Sequence, residues 1–444
     1  MNASYKDYVK RLLFIAVPLM LSNIINQLQM LVDRIFLGHA NMLYMSVMGN
    51  VLFPIWTTLS LCFSLATGAS ILISQRVGAE DKKGIEEYAG SLFKYNSVIP
   101  ILLFLLWCFG SQPVFRLMGV SDTLLPMCVD YARFYSPIFL LMGLGPAFMV
   151  VYQTSNHTKH LAYYAVIRSV LNIFFDWVLI FGKLGFPEMG VRGAALGTTI
   201  AEYIGGMYLV VSFLKSRKLK TRPSFASIRN AKIKSYFVSA KLGLNTALED
   251  FFWNMGNLVL IRILNSISEL AAGIYSIVVG IEVLAVVVVS ALGNGTLTLT
   301  SEAVGKKDER QYKGVCLVAY ILCAIVAVLM MIASLLFPEQ ILSIFTKDEA
   351  IITTSGVYLF FIAVNLFAKS GNIIIGNGIR GSGDTRWMFF TQIFGTVFVI
   401  ALASLFVFVL NLGMAGVFLA VIADEAVRCL INMGKFFHSG RKIA

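Results

Sequence analysis

Twelve apolar stretches, each long enough to cross a bilayer as a helix, divide this chain from end to end. A spanning helix needs about 20 residues. The stretches fall roughly at residues 12–38, 46–74, 90–111, 127–152, 163–182, 191–214, 237–263, 269–300, 314–337, 351–376, 388–411 and 412–434. The last two are joined almost directly through "NLGMAG". With 58% hydrophobic and 14% charged residues, the chain has about half the charge of a soluble protein and too little polar surface to cover a globule in water. The opening "MNASYKDYVKRLLFIAVPLM" lacks a small-residue cleavage site and its apolar run continues past Leu31. It reads as a first span rather than a cleavable leader.

Assigning Lys and Arg alternately to the two sides of the membrane collects 28 on the side of the N-terminus and 6 on the other. By the positive-inside rule both termini are cytoplasmic and the number of spans is even. The net charge of +12 is thereby a topology signal, and nucleic acid has no place in the account. The six cysteines lie in or beside apolar runs without a CxxC pair, and the four histidines are scattered. Neither a disulfide framework nor a zinc site is expected.

The chain repeats itself. "TGASILISQRVGAEDKK" (67–83) matches "NGTLTLTSEAVGKKDER" (294–310) at an offset of 227, as "HTKH" at 157 matches "DTRW" at 384. "GVRGAALGTTIAE" (190–202) matches "GMAGVFLAVIADE" (413–425) at an offset of 223. Each copy holds six spans, so the copies keep one orientation and are parallel repeats. The expected fold is an all-α polytopic membrane protein: twelve transmembrane helices in two parallel-repeat six-helix lobes around a central cleft. Residues 1–220 form the first lobe and 221–444 the second, preceded by the basic cytoplasmic linker 215–236, a solvated loop whose charge suits an anionic inner leaflet.

Within this apolar chain, "LNIFFDWVLIFG" (171–182) carries a carboxylate at Asp176, and "QMLVDRIFLG" carries another at Asp33. An ionised Asp at mid-bilayer costs roughly 2.5–3.5 kcal/mol on insertion scales, so such a residue reads as functional by default. Both acids fall roughly 8–9 Å below the outer boundary at the helical rise per residue. Thr198 and Thr199 on the sixth span lie at similar depth, Asn172 shares a helix face with Asp176, and Asn26 shares one with Asp33. Burial and like charge both disfavour two ionised carboxylates, and such oxygens also suit a small hard cation. The pattern therefore offers a proton site, or a Na+ site at Asp33, Asp176 and Asn172. At the offset of 227 these acids fall on Leu260 and Ala403, so the pair belongs to the first copy alone. The same copy holds Pro18, Pro54, Pro100, Pro137 and Pro146 within its spans, which points to a first lobe able to bend.

Taken in order, "VDRIFLG", "TGASILISQRVGAED", "LNIFFDWVLIFG" and "GNGIRGSGDTR", with the repeat and the basic central loop, resemble the multidrug and toxic compound extrusion (MATE) family of secondary transporters over nearly the whole chain. The resemblance implies export of organic cations or amphipathic compounds in exchange for H+ or Na+. It assigns the ion to Asp33, Asn172 and Asp176, with Asn26 and Thr198 or Thr199 beside them. Some members use second-lobe acids instead. Here the seventh span offers Glu249 and Asp250, while Lys369 stands at the acid's place on the tenth. Lys369 is then a tethered cation, a partner for Glu249, or a snorkelling residue. Glu282 on the eighth span is a further candidate for a substrate or charge site, whereas the repeat-related Glu202 and Glu425 fit lobe architecture better.

The expectation is a cation-coupled antiporter of the cell (inner) membrane, working by alternating access as a monomer, without a cofactor beyond its coupling ion. The alternative is a flippase for a lipid-linked sugar precursor, of the same superfamily. Such a flippase would want a strongly basic cavity, and mid-span cations are nearly absent apart from Lys369 and Arg133. Loops are too short for the catalytic residues of a membrane enzyme.

Overall fold

The computed structural model describes residues 5–216, 218–268, 270–344 and 348–441, and these are helical with no strand among them. Among the described residues twelve helical segments follow in order, each continuous or broken into short pieces. The first copy comprises α1 (Tyr5–Ala40), α2 (Met42–Gly78), α3 (Lys82–Tyr95 and Val98–Phe109), α4 (Leu125–Tyr135, Ile138–Leu141 and Gly145–Thr154), α5 (Lys159–Ile180) and α6 (Val191–Lys215). The second comprises α7 (Ile233–Ile267), α8 (Ala271–Lys306), α9 (Glu309–Leu336), α10 (Glu349–Gly381), α11 (Thr385–Ser404 with a π turn at Leu405–Val409) and α12 (Gly413–Arg441). Among the described residues nine helices are long and apolar enough to cross a membrane, or ten with the broken α4. The other two, α7 and α12, carry polar and charged residues along their length.

The breaks follow the prolines. The first piece of α3 ends just before Val98–Phe109, which opens around Pro100. α4 is interrupted ahead of Pro137 and again ahead of Pro146, with a 44° bend at the second break. A proline has no N–H to give and its ring crowds the preceding turn. α1 and α2 continue through Pro18 and Pro54, where Ser22 Oγ and Thr58 Oγ1 donate to the proline carbonyls at 2.8 and 3.2 Å.

The repeated motif after α2 and after α8 proves to be a turn. Glu80 and Lys307, at matching positions, both take left-handed backbone (φ 55° and 58°). The following Asp81 and Asp308 each cap the next helix, accepting from Gly84 N at 3.0 Å and Gln311 N at 2.8 Å. A carboxylate at an N-cap satisfies an amide that the helix leaves open.

By internal packing the chain forms two compact units, Val17–Leu244 and Met1–Ala16 with Asn245–Ala444. Their edges fall inside α1 and inside α7, whereas the edge between the copies at 220 falls in the linker. The repeat explains why. Gly68 on α2 lies so close to α7 that an added Cβ would strike the backbone at Ser239 and Gly243. Gly295 on α8 also faces α1 closely, though a Cβ there would meet the Leu12 side chain rather than backbone. These are matching positions at the offset of 227, so each copy lends the start of its first helix to the other's unit. Arg11 is likewise paired with Glu302 of α8 at 2.7 Å. In the other unit the linker is held to the ends of α3 and α4: Lys94 Nζ donates to Arg229 O at 2.6 Å, and Thr154 Oγ1 lies 2.8 Å from buried Thr221 Oγ1.

Candidate functional site

One cluster of buried polar residues in the first unit lies where α1, α4, α5 and α6 meet. Arg168, Asn172 and Asp176 recur every four residues and so lie along one face of α5. Asn172 and Asp176 have no exposed surface. α6 reaches them because position 197 is glycine, where a Cβ would run into Asp176 Oδ1. Asn172 Nδ2 donates to Asp176 Oδ1 at 3.2 Å and to Thr198 Oγ1 at 3.1 Å. From α1, Asp33 brings its carboxyl within hydrogen-bonding reach of Asp176. Asp33 Oδ1, Asp176 Oδ2 and Asn172 Oδ1 are buried without a conventional donor.

Two further contacts join α1 to α5 below the acids. Ser169 Oγ donates to Gln29 Oε1 at 2.8 Å, and Gln29 lies within hydrogen-bonding reach of Asp33. Arg168 Nη2 donates to Asn26 Oδ1, while its Nη1 donates to Glu202 Oε1 of α6 at 2.6 Å. Tyr164 completes the group by donating to Glu202 Oε2. Tyr131 of α4 is buried within electrostatic reach of both aspartates and stacks on Tyr135 at 5.7 Å between ring centres.

Of the residues expected at this site, Asp33, Asp176, Asn172 and Thr198 come together, and Asn26 joins through Arg168. Thr199 does not. Its hydroxyl donates to Phe134 O and Ala195 O, both at 2.8 Å. Neighbours on a helix point about 100° apart, so only one of two adjacent threonines can face α5. Gln29, Ser169, Arg168 and Tyr131 escaped the sequence reading. Gln29 was findable four residues before Asp33, and Arg168 on the face of Asn172.

In the other unit the candidates separate into pairs. Lys369 Nζ donates to Glu282 Oε2 at 2.8 Å, with Asn365 Nδ2 at 3.4 Å from the same carboxylate. Glu249 belongs instead to Arg380, at 2.5 Å. The partnership of Lys369 with Glu249 is thus corrected, and so is the snorkelling reading. Lys369 and Arg380 are eleven residues apart on α10, three turns on one face, and Glu249 meets the arginine. Asp250, next to buried Glu249, lies on the exposed side of α7. Arg428 of α12 binds Asp424 at 2.7 Å, Glu425 at 3.2 Å and Gln392 Oε1 at 2.9 Å. Asn372 Nδ2 donates to Glu425 Oε2 at 2.7 Å. Cations inside the helix packing are therefore more numerous than the sequence implied: buried Arg428 and half-buried Arg168 and Arg380, counted there with the cytoplasmic charges, are all bound to carboxylates. No group of three or more His, Cys, Asp or Glu side chains that could hold a metal occurs among the described residues.

Comparison with known proteins places this architecture. The MatE family model matches residues 18–178 and again 246–405, one match in each compact unit. A probable multidrug resistance protein NorM of Thermotoga maritima is 27% identical over 446 residues, covering 97% of this chain and 92% of that protein. The uncharacterized transporter YisQ of Bacillus subtilis is 24% identical, covering 83% of this chain and 80% of its own length. Among solved structures, an outward-facing multidrug resistance MATE transporter of the MOP superfamily aligns with TM-score 0.87 at 19% identity, over 98% of this chain and 96% of that one. A MATE protein in a bent conformation aligns with TM-score 0.88 at 19% identity, over 99% and 96%.

Proposed function

The chain belongs to the MatE family of multi-pass membrane transporters, which are not enzymes, and from that premise we propose that it is a cation-coupled antiporter exporting organic cations or amphipathic compounds. Relatives named as multidrug resistance proteins support that substrate range. The coupling site is the Asp33–Asp176 pair, with Asn172 fixing one carboxylate while Thr198 orients Asn172, and Gln29 beside the other. The observation that carries the reading is the pair itself: two carboxyls in mutual hydrogen-bonding reach among helices of one unit, Asp176 buried and Asp33 half-buried.

Two carboxyls this close repel when both are charged, and a proton on one of them relieves that repulsion, which supports H+ as the exchanged ion. Na+ would use the same unpartnered oxygens. Either ion drives transport only by binding two conformations of the protein unequally, and the broken helices α3 and α4 supply flexible joints in the same unit. The protein acts in the cell (inner) membrane with both termini in the cytoplasm, as a monomer.

The test is efflux of a fluorescent organic cation from proteoliposomes, with H+ and Na+ gradients imposed separately. The wild type responds to the proton gradient, and Asp176→Asn reduces gradient-driven efflux at least tenfold. Unchanged efflux by that variant overturns the scheme, and a response to Na+ alone reassigns the ion. Export of a lipid-linked sugar remains the second reading. Against it, Arg168, Lys369, Arg380 and Arg428 are each already neutralised by a carboxylate, leaving no free positive charge for a pyrophosphate among those residues.

A further inference from the structure

Glu202 and Glu425 occupy matching positions of α6 and α12 at the offset of 223, and each is met by an arginine. The arginines do not match. Arg168 comes from α5, and at the offset of 227 its counterpart on α11 is Gly395. Arg428 comes from α12, and at 223 its counterpart on α6 is Gly205. The two glycines clear the way: a Cβ at Gly205 would meet Tyr164 and the Cβ of Arg168 at 3.0–3.3 Å, and one at Gly395 would strike the Arg428 side chain. Arginine and glycine have thus exchanged helices between the copies while the glutamate stayed.

A guanidinium on either helix neutralises the glutamate, so neutralisation does not explain the choice of α5 in the first copy. The choice has a geometric consequence. From α5, Arg168 shares a face with Asn172 and Asp176 and reaches Asn26 on the helix that carries Asp33. Its Nε is buried and unpartnered, and its charge acts on Asp33. From α12, Arg428 bonds Asp424, Glu425 and Gln392, and Glu249 of α7 acts on its charge, but among the described residues it donates no hydrogen bond to α7 as Arg168 does to α1.

Resting on the reading of Asp33 and Asp176 as the exchange site, we propose that Arg168 is a positioning residue for coupling: an internal cation, shared between Glu202 and the aspartate pair, that ties the charge of that pair to the seating of α1 on α5. With one proton on the pair, Glu202 holds the guanidinium. When that proton leaves, two carboxylates face each other, and Arg168 is the neighbouring cation drawn toward them, carrying its bond to Asn26 with it. The groups facing Arg168 are Asp33 and Asn26 on α1, Tyr135 on α4, Tyr164 on α5 and Glu202 on α6.

The test moves the arginine to the helix used by the other copy, as Arg168→Gly with Gly205→Arg. Glu202 remains neutralised. Thermal stability in detergent and proton-driven efflux of a fluorescent cation are measured across pH, with Asp176→Asn alongside. The expected result is a folded protein whose pH profile shifts by a unit or more, or flattens. A wild-type pH profile overturns the proposal. Should the exchanged variant fail to fold, Arg168→Gln with Glu202→Gln removes both charges and keeps two hydrogen-bonding side chains. The proposal expects the same altered profile there, and a wild-type profile again overturns it. If Asp176→Asn transports normally, the exchange-site reading fails first. If that variant is inactive and the arginine variants keep the native profile, only the role of Arg168 fails.

Discussion

In the second lobe each buried carboxylate described above faces a cation: Glu249 has Arg380, Glu282 has Lys369, and Asp424 and Glu425 share Arg428. In the first lobe Asp33 and Asp176 face each other, and Arg168 close by is held by Glu202. The lobes differ in backbone too. α3 and α4 are broken at prolines, while α8, α9 and α10 run unbroken for 28 to 36 residues. A neutralised pair has no need of an ion from outside. An acid pair would change charge whenever a proton came or went; its helices α1 and α5 are unbroken, and the proline breaks lie in α3 and α4 of the same unit. The copies arose with the same plan, and what separates them is where a charge was left without a built-in partner.

That contrast can be broken most forcefully in the second lobe. Lys369→Met strands Glu282 in a buried position, and losing one partner of a buried pair costs about 3–5 kcal/mol. Thermal unfolding in detergent should register the loss, and adding Glu282→Leu should restore most of it. A single variant as stable as the wild type would mean that the pair is not the closed unit described here. A smaller effect is expected in the first lobe, on transport rather than stability. Asn172→Ala removes hydrogen bonds to Asp176 and Thr198, each worth about 1 kcal/mol. The driving-cation concentration at half-maximal efflux should move about tenfold, and no movement would remove Asn172 from the site. The smallest effect belongs to Thr199→Val. Its hydroxyl serves backbone carbonyls, so efflux should stay within about twofold of wild type; a loss comparable to that of Asn172→Ala would return Thr199 to the site.

Much of this was legible in the sequence because apolar length and charge asymmetry act over whole spans. Twelve stretches gave twelve helical spans, and the weakest division, between the last two, falls at a π turn and a left-handed Asn411 just before Gly413. Asp33, Asn172 and Asp176 stood out because ionisable and amide groups are costly in lipid. The partners of the arginines were not legible. A cation near a helix end looks the same whether it reaches water or a neighbouring glutamate, and which occurs depends on helix contacts far apart in the chain. Arg168 and Glu202 are 34 residues apart and Arg380 and Glu249 are 131 apart. Arg428 was the exception, with both acids three and four residues away on its own helix.

The edges inside α1 and α7 bear on how the molecule could be divided at the bench. A gene cut at the linker yields two polypeptides, each with about three turns of helix whose packing surface is encoded on the other plasmid. Residues 17–244 are the piece that keeps its own neighbours. The complementary piece exists only as a circular permutant, opened at Asn245 and running through the old C-terminus into the first sixteen residues.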